Sequence, residues 1–429
     1  MTATSLWRHP SFLRLWAGET TSQLGAQLGG IAIPVLAVIL LGATEFEIGV
    51  LSAAGTAAFL VVGLPAGALI DRMLKRKVML RADVVRALAM AAIPALWFAG
   101  VLEVWHLIVL ATIAGIARVF FDIAYQSYVP VLVEREQIAE ANAKLETTSQ
   151  IAGIGGPAIG GALLTAVQAP VILFSTAATY VVSFVMLSLI RDSEQPSAVA
   201  DRRPLRTEII EGMAFVWNEP LLRRIVACTG VGNFFFSLAV TLMPILVLRE
   251  LGFSPAVLGI ATGIGAVGGL LGAAASSRLT TLIGEGRIIA WSAVGFGIAG
   301  VLFAAMTAVP EAFMIPVFIA AEFFVGFTVL VYNIAQVSFR QRICPTPLLG
   351  RMNASIRFVV WGVMPIAGLL AGILSTAIGV IPVVWVGMLG SLLAAGFVVF
   401  SPLARMTKLP ETSTGEAEDA AAHAARNPQ

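Results

Sequence analysis

The sequence predicts an all-α membrane protein, with twelve transmembrane helices in two pseudo-symmetric six-helix bundles. Three observations predict it. Of the 429 residues, 58% are hydrophobic and only 12% are charged, with a mean hydropathy of +0.90. A soluble domain carries roughly a quarter charged residues, so lipid is the solvent for most of this chain. Apolar stretches of the length a helix needs to cross the hydrocarbon, roughly 20 residues, recur along the sequence, and the later ones resemble the earlier ones in order and spacing.

The first spans fall at about 12–41, 47–70, 80–102, 105–131, 141–167 and 170–190, giving an N-terminal bundle over 1–190. A charged linker follows over 191–219. Within it, residues 206–217 place Ile209, Ile210, Met213, Ala214 and Trp217 at helical spacing, the pattern of an amphipathic helix on the inner membrane surface. The later spans fall at about 221–249, 255–277, 287–309, 311–339, 349–375 and 378–404, giving a C-terminal bundle over 220–404. Residues 405–429 are Glu- and Ala-rich without apolar periodicity and read as a disordered cytoplasmic tail. The opening MTATSLWRHP lacks the basic start and apolar core of a cleavable signal peptide.

Orientation follows from Lys and Arg in the short loops. Of the 27 such residues, Arg118 falls inside a span and Arg249 on the outer side. The rest sit in one set of loops or at the adjoining helix ends, including the cluster Arg72, Lys75, Arg76, Lys77, Arg81 and Arg86 after the second span. The opposite loops hold Glu45, Glu47, Glu103 and Glu311. This predicts a multi-pass protein of the cell membrane with both termini in the cytoplasm.

The repeat is explicit. At a shift of 210, WRHPSFLR from Trp7 lies over WNEPLLRR from Trp217, Pro34 over Pro244, Gly49 over Gly259 and Gly55 over Gly265. At 211, Asp122 lies over Asn333, Asn142 over Asn353 and Gly161 over Gly372. An even number of spans per half makes these parallel repeats about an axis along the membrane normal, an architecture suited to two bundles rocking around a midplane site. GxxxG pairs such as Gly63/Gly67, Gly156/Gly160 and Gly265/Gly269 suit close helix contacts. The run Gly263, Gly265, Gly268 matches a dinucleotide fingerprint in spacing, but it lies inside a span with no strand before it and reads as helix packing.

Several functions are excluded by what the chain lacks. A net charge of +2 gives no signal for nucleic acid. Cys228 and Cys344 show no CxxC spacing, and His9, His106 and His423 form no cluster, so neither a metal nor a cofactor is expected. No GxxxxGK[ST] phosphate loop is present.

Two motifs resemble the major facilitator superfamily. GLPAGALIDRMLKRKVML is similar to its cytoplasmic-loop signature through Gly63, Gly67, Leu69, Asp71 and Arg72, followed by Lys75, Arg76 and Lys77; the usual glycine of the basic run is absent, with Leu74 preceding the basic residues. GIGGPAIGGAL resembles the antiporter signature at Gly156, Pro157, Gly160 and Gly161, with Ala152 where a further glycine is expected. The openings WRHPSFLRLW and EGMAFVWNEPLLRR and the run from Arg118 resemble the enterobactin-exporter and macrolide-efflux branch. The resemblance implies a functional monomer that exports a small amphiphile of drug, macrolide or siderophore type in exchange for protons. It also implies that Asp71 latches the halves on the cytoplasmic side. The equivalent position in the second half is Ser277, so only one half keeps the full latch.

Charges inside spans are costly and usually functional. Glu19, Arg118, Asp122 and Glu322 are the candidates for proton coupling, since alternating exposure can switch a carboxyl between protonated and ionised forms. A fixed Arg118–Asp122 pair, and a solvated helix-end role for Glu19, are the alternatives. Polar residues recur at spacing four, on one helix face. They are Glu19, Gln23 and Gln27 on span one; Arg118, Asp122 and Gln126 on span four; Asn233, Ser237 and Thr241 on span seven; and Asn333 and Gln336 beyond Glu322 on span ten. The family resemblance implies that these four spans line the central cavity. Phe234, Phe235, Phe236, Phe323, Phe324 and Phe327 stand nearby and offer apolar surface for a bulky cargo, although most membrane aromatics face lipid or neighbouring helices. An importer or facilitator of a small metabolite, a lipid-handling enzyme and a non-transporting scaffold are the competing functions. The enzyme would need an acidic metal motif or a His cluster, and the chain carries neither.

Overall fold

The computed structural model describes residues 6–70, 73–134, 137–190, 194, 205–344 and 349–408. The first half forms α1 (Pro10–Val35), α2 (Glu45–Ile70), α3 (Lys75–Phe98), α4 (Val104–Leu132), α5 (Ile138–Ala166) and α6 (Ala169–Ser188). The shorter α7 (Leu205–Asn218) follows, packed on α8 and α12. The second half forms α8 (Pro220–Ile245), α9 (Pro255–Ile283), α10 (Glu285–Ala305), α11 (Glu311–Ile343), α12 (Leu349–Ile378) and α13 (Val380–Ala394). Ten of these helices are long and apolar enough to cross a membrane. The exceptions are α3, charged through to Arg86, α5, which is rich in Gly, Ser and Thr, and α7, which at 14 residues is too short.

Packing repeats with the sequence. In the first half α1 packs on α5 and α6, α2 on α4, and α3 on α4 and α6. In the second half α8 packs on α12 and α13, α9 on α11, and α10 on α11 and α13. Each pair in the second list is its first-half counterpart displaced by seven helices. Between halves the exchange is reciprocal, with α2 on α12 and α5 on α9.

The hairpins that open each half share one device. Pro34 and Pro244 lie in the last turns of α1 and α8. Proline removes a ladder donor and crowds the preceding turn, and a five-residue π turn follows each, at Leu36–Leu40 and Leu246–Glu250. Gly42 and Gly252 then reverse the chain at φ 63° and 67°, a left-handed conformation that glycine adopts without steric cost.

The hydrophobic core divides unevenly. One buried cluster joins both halves at the end away from the termini and includes Leu36, Leu51, Leu246 and Ala261. Towards the termini the cores separate, one around Phe12, Phe121 and Tyr128, the others around Phe339 and Met352. The two bundles therefore meet at the far side and part on the termini side.

Arg86 departs from the sequence expectation. It is placed by sequence in the cytoplasmic cluster, yet in the structure it is 4% exposed inside the first bundle. It pairs with the fully buried Asp83, whose other oxygen accepts a 2.8 Å bond from the Ser183 hydroxyl. Its guanidinium lies 4.0 Å from the Phe121 ring centroid and 4.5 Å from that of Tyr180. Positive charge near a helix start is ambiguous in sequence, because burial is decided by the helices that come to surround it.

Candidate functional site

A cavity of about 820 Å³ opens in the gap between the halves on the termini side. Its first-half wall is built by α1, α4 and α5, whose polar faces are aimed inward by the packing of their apolar faces. Glu19 and Gln23 line it one turn apart on α1, with the Gln23 amide donating a 2.6 Å bond to Glu19 Oε1. Glu19 is 6% exposed and its Oε2 is buried with no hydrogen-bond partner. From α4 come Asp122, Tyr125 and Gln126, and from α5 come Asn142, Glu146 and Ser149. Arg118 Nε stands 3.6 Å from Asp122 Oδ2, with both side chains accessible. A charge pair that keeps contact with water gains little from its Coulomb energy and is free to exchange partners.

A second cavity, of about 350 Å³, lies in the other half. Thr229 and Asn233 of α8, Tyr332, Asn333, Gln336 and Arg340 of α11, and Arg357 of α12 supply its polar lining. Gln336 donates to Asn333 at 3.3 Å, Asn233 donates to the Val360 carbonyl at 3.2 Å, and the Thr229 and Tyr332 hydroxyls share a 2.8 Å bond. Arg357 lines both cavities, so the two walls face one space.

The far side is sealed. Two backbone contacts across the halves close it, Gly161 on Gly259 and Gly49 on Gly372. The Ser52 and Thr241 hydroxyls share a 3.1 Å bond over the same seam. Arg249, at the end of the second-half hairpin, reaches the first-half one: it stands 3.5 Å from Glu45 and donates to the Ala43 carbonyl at 2.6 Å. The antiporter-like motif serves two contacts from one helix. Gly156 and Gly160 receive Gln27 and Leu28 of α1, while Pro157 and Gly161 receive Gly259 of α9.

The remaining candidates are dispersed. Gln27 packs against Gly156, above the cavity floor. Ser237 and Thr241 are each 8% exposed, and Thr241 lies in the sealed seam. Glu322 is half-buried on α11 against Gly265, where a methyl group would lie 3.1 Å from its Oε2. It makes no hydrogen bond or ion pair among the described residues. Gly63 and Gly67 fall within α2, and the latch residues Asp71 and Arg72 lie outside the described residues. Arg76 holds its own half, donating to the Leu187 and Ser188 carbonyls at the end of α6. The first N–H groups of α3 donate to the Glu194 carboxylate, as a helix N-terminus favours an anion. Glu146, Arg340 and Arg357 are functional candidates that the stripe argument passes over. The 211-residue shift, which lays Glu146 over Arg357, is the signal that could have found Glu146 and Arg357.

The comparisons agree with this geometry. A profile of the Major Facilitator Superfamily matches residues 15–368. The multidrug efflux pump Tap of Mycolicibacterium fortuitum is 28% identical over 390 residues, covering 88% of this chain and 91% of its own. Macrolide efflux protein A of Streptococcus pyogenes is 24% identical, with coverage of 86% and 90%. Among solved structures, an inward-facing bacterial homologue of the iron transporter ferroportin superposes with a TM-score of 0.74 at 16% identity, covering 94% of this chain and 100% of that one. The nucleoside transporter NupG superposes at 0.73 with 13% identity, covering 92% and 98%.

Proposed function

The chain belongs to the major facilitator superfamily, and from that premise we propose that this multi-pass transporter exports a small amphiphilic molecule in exchange for protons, by alternating access. One observation carries the reading: an ionisable aqueous wall, Glu19 with Asp122, ends below a seam of glycine contacts that closes the far side. If the loop charges set both termini in the cytoplasm, this conformation is open inward, ready to load cargo from the cytoplasm or inner leaflet. Efflux relatives covering most of the chain support the direction of transport. Membership of a transporter family also sets aside the lipid-handling enzyme.

In this reading Glu19, Asp122 and Glu322 are the groups that exchange protons, and Arg118 tunes Asp122 by competing for it. Rocking about the seam would open the far side and bring the two walls together, changing the hydration of these carboxyls. That change makes cargo release and proton uptake alternatives. The chain works as a monomer in the cell membrane, because each half supplies one wall and the repeat is complete within one copy.

The test is accumulation of ethidium in cells with and without the gene, each with and without an uncoupler. Lower accumulation that depends on the gene and vanishes with the uncoupler is expected. Uptake that rises with the gene would turn the reading to import.

A further inference from the structure

Arg340 poses a problem that the proposed mechanism does not solve. It is 9% exposed, lines the second-half cavity, and its Nε is buried without a hydrogen-bond partner. Among the described residues its side chain makes no hydrogen bond or ion pair. A buried charge is tolerated when paired and expensive when not. The end of the α11 dipole offsets part of this cost. Arg357, on the same wall, adds a second cation and no carboxylate lines that cavity.

The repeat sharpens the point, because equivalent positions carry different charge. At the 210 shift Glu19 lies over Thr229, and at 211 Asp122 lies over Asn333 and Glu146 over Arg357. One framework thus presents Glu19, Asp122 and Glu146 on its first-half wall and Arg340 with Arg357 on the other.

We propose that the second-half cavity is an anion site and that the cargo is amphoteric. An oxyanion of carboxylate, phenolate or phosphate type is held by Arg340 and Arg357, and a cationic end faces the first-half acids. This rests on the exporter reading for the word cargo, but the binding itself does not. Guanidinium forks suit oxyanions by two-point hydrogen bonding, and Asn333 and Gln336 supply neutral donors beside them.

The test compares norfloxacin, which carries a carboxylate and an ammonium, with its ethyl ester, which keeps only the cation. Equilibrium binding is measured on the purified full chain in phosphatidylcholine vesicles without a proton gradient, so the result is independent of coupling. The wild type binds the acid about tenfold or more tightly than the ester, as a charge-assisted contact implies. Arg357→Gln, at an exposed position, and Arg340→Gln each bring the ratio towards one; Arg340→Lys restores part of it. Equal binding of acid and ester by the wild type, no binding of the acid, or a preference that survives both Gln variants overturns the proposal. Added phosphatidylglycerol separates the sources of the anion. If it weakens norfloxacin binding in the wild type but not in Arg340→Gln, the site belongs to a lipid headgroup and the cargo assignment falls. Norfloxacin efflux from cells that fails while the acid preference of the purified chain holds would sink the exporter reading and leave the anion site standing.

Discussion

A methyl group built on Gly161 would lie 2.8 Å from the Cα of Gly259, and one on Gly259 would lie 2.7 Å from the Cα of Gly161. The helices α5 and α9 therefore touch backbone to backbone at the far end. The symmetric contact repeats this, with a methyl on Gly49 reaching 2.8 Å from the Cα of Gly372. Small residues let helices approach closely where lipid gives no hydrophobic drive.

Gly161→Val should hold this seam open. Overpacking costs about 1–3 kcal/mol, which moves a two-state equilibrium roughly 5- to 150-fold. Cys228 and Cys344 are buried, so a cysteine introduced at Ser52 is a clean reporter. Labelling of Ser52→Cys by a membrane-impermeant maleimide from the far side should accelerate in the Gly161→Val background. An unchanged labelling rate would mean that the glycine contact does not hold the seam.

Arg249 adds a second clasp, and its partners, the Glu45 carboxylate and the Val38 and Ala43 carbonyls, predict an order of effects. Glu45→Gln removes only a partly exposed ion pair, worth about 1 kcal/mol or less. Arg249→Gln also removes the bonds to the Val38 and Ala43 carbonyls, and charged hydrogen bonds are worth about 1.5–3 kcal/mol each. Spin labels on the two hairpin loops should show more open population for Arg249→Gln than for Glu45→Gln. The reverse order would assign the clasp to the carboxylate alone.

The Asp83–Arg86 pair is a matter of stability. Removing one partner of a buried pair costs about 3–5 kcal/mol, while replacing both by apolar residues costs far less. Asp83→Asn should lower the thermal midpoint in detergent sharply, since it leaves Arg86 charged among Phe121 and Tyr180. The double variant Asp83→Leu/Arg86→Met should unfold at a higher temperature than either single variant. Additive losses would show that the two groups act separately.

Much of the fold was legible because the repeat is written in residues with one steric meaning. Pro34 with Pro244 marks the paired π turns, and Gly49, Gly161, Gly259 and Gly372 mark the two seams. From the four-residue stripes Glu19, Gln23, Asp122, Gln126 and Asn233 lie on cavity walls, as do Asn333 and Gln336, three apart on α11. Ser237 and Thr241 share a helix face with Asn233 but are buried, Thr241 bonding across the seam to Ser52 and the Ser237 hydroxyl without a partner among the described residues. A helix face fixes direction and says nothing about depth, and the seam begins partway along α8. Arg86 and Arg340 were illegible for a related reason. Near a helix end, a guanidinium bound for the lipid surface and one bound for an interior site have the same neighbours in sequence.

Glu322 is the carboxyl most exposed to a decisive substitution. It lies against Gly265 on the seam-forming α9 and has no cation beside it among the described residues. Glu322→Gln keeps its shape and removes its proton chemistry. Ethidium binding should survive in this variant, while accumulation driven by the gradient is lost. Retained uphill transport would exclude Glu322 from the proton path.

The exchange of cargo for protons can be read most directly in sealed vesicles. The purified chain is reconstituted with a trapped pH indicator, a pH difference is imposed, and ethidium is added on the side of the termini. The account predicts a proton flux that starts with ethidium, runs opposite to it, and disappears in Glu322→Gln. Ethidium movement with no accompanying pH change, or a proton leak indifferent to ethidium, would contradict it.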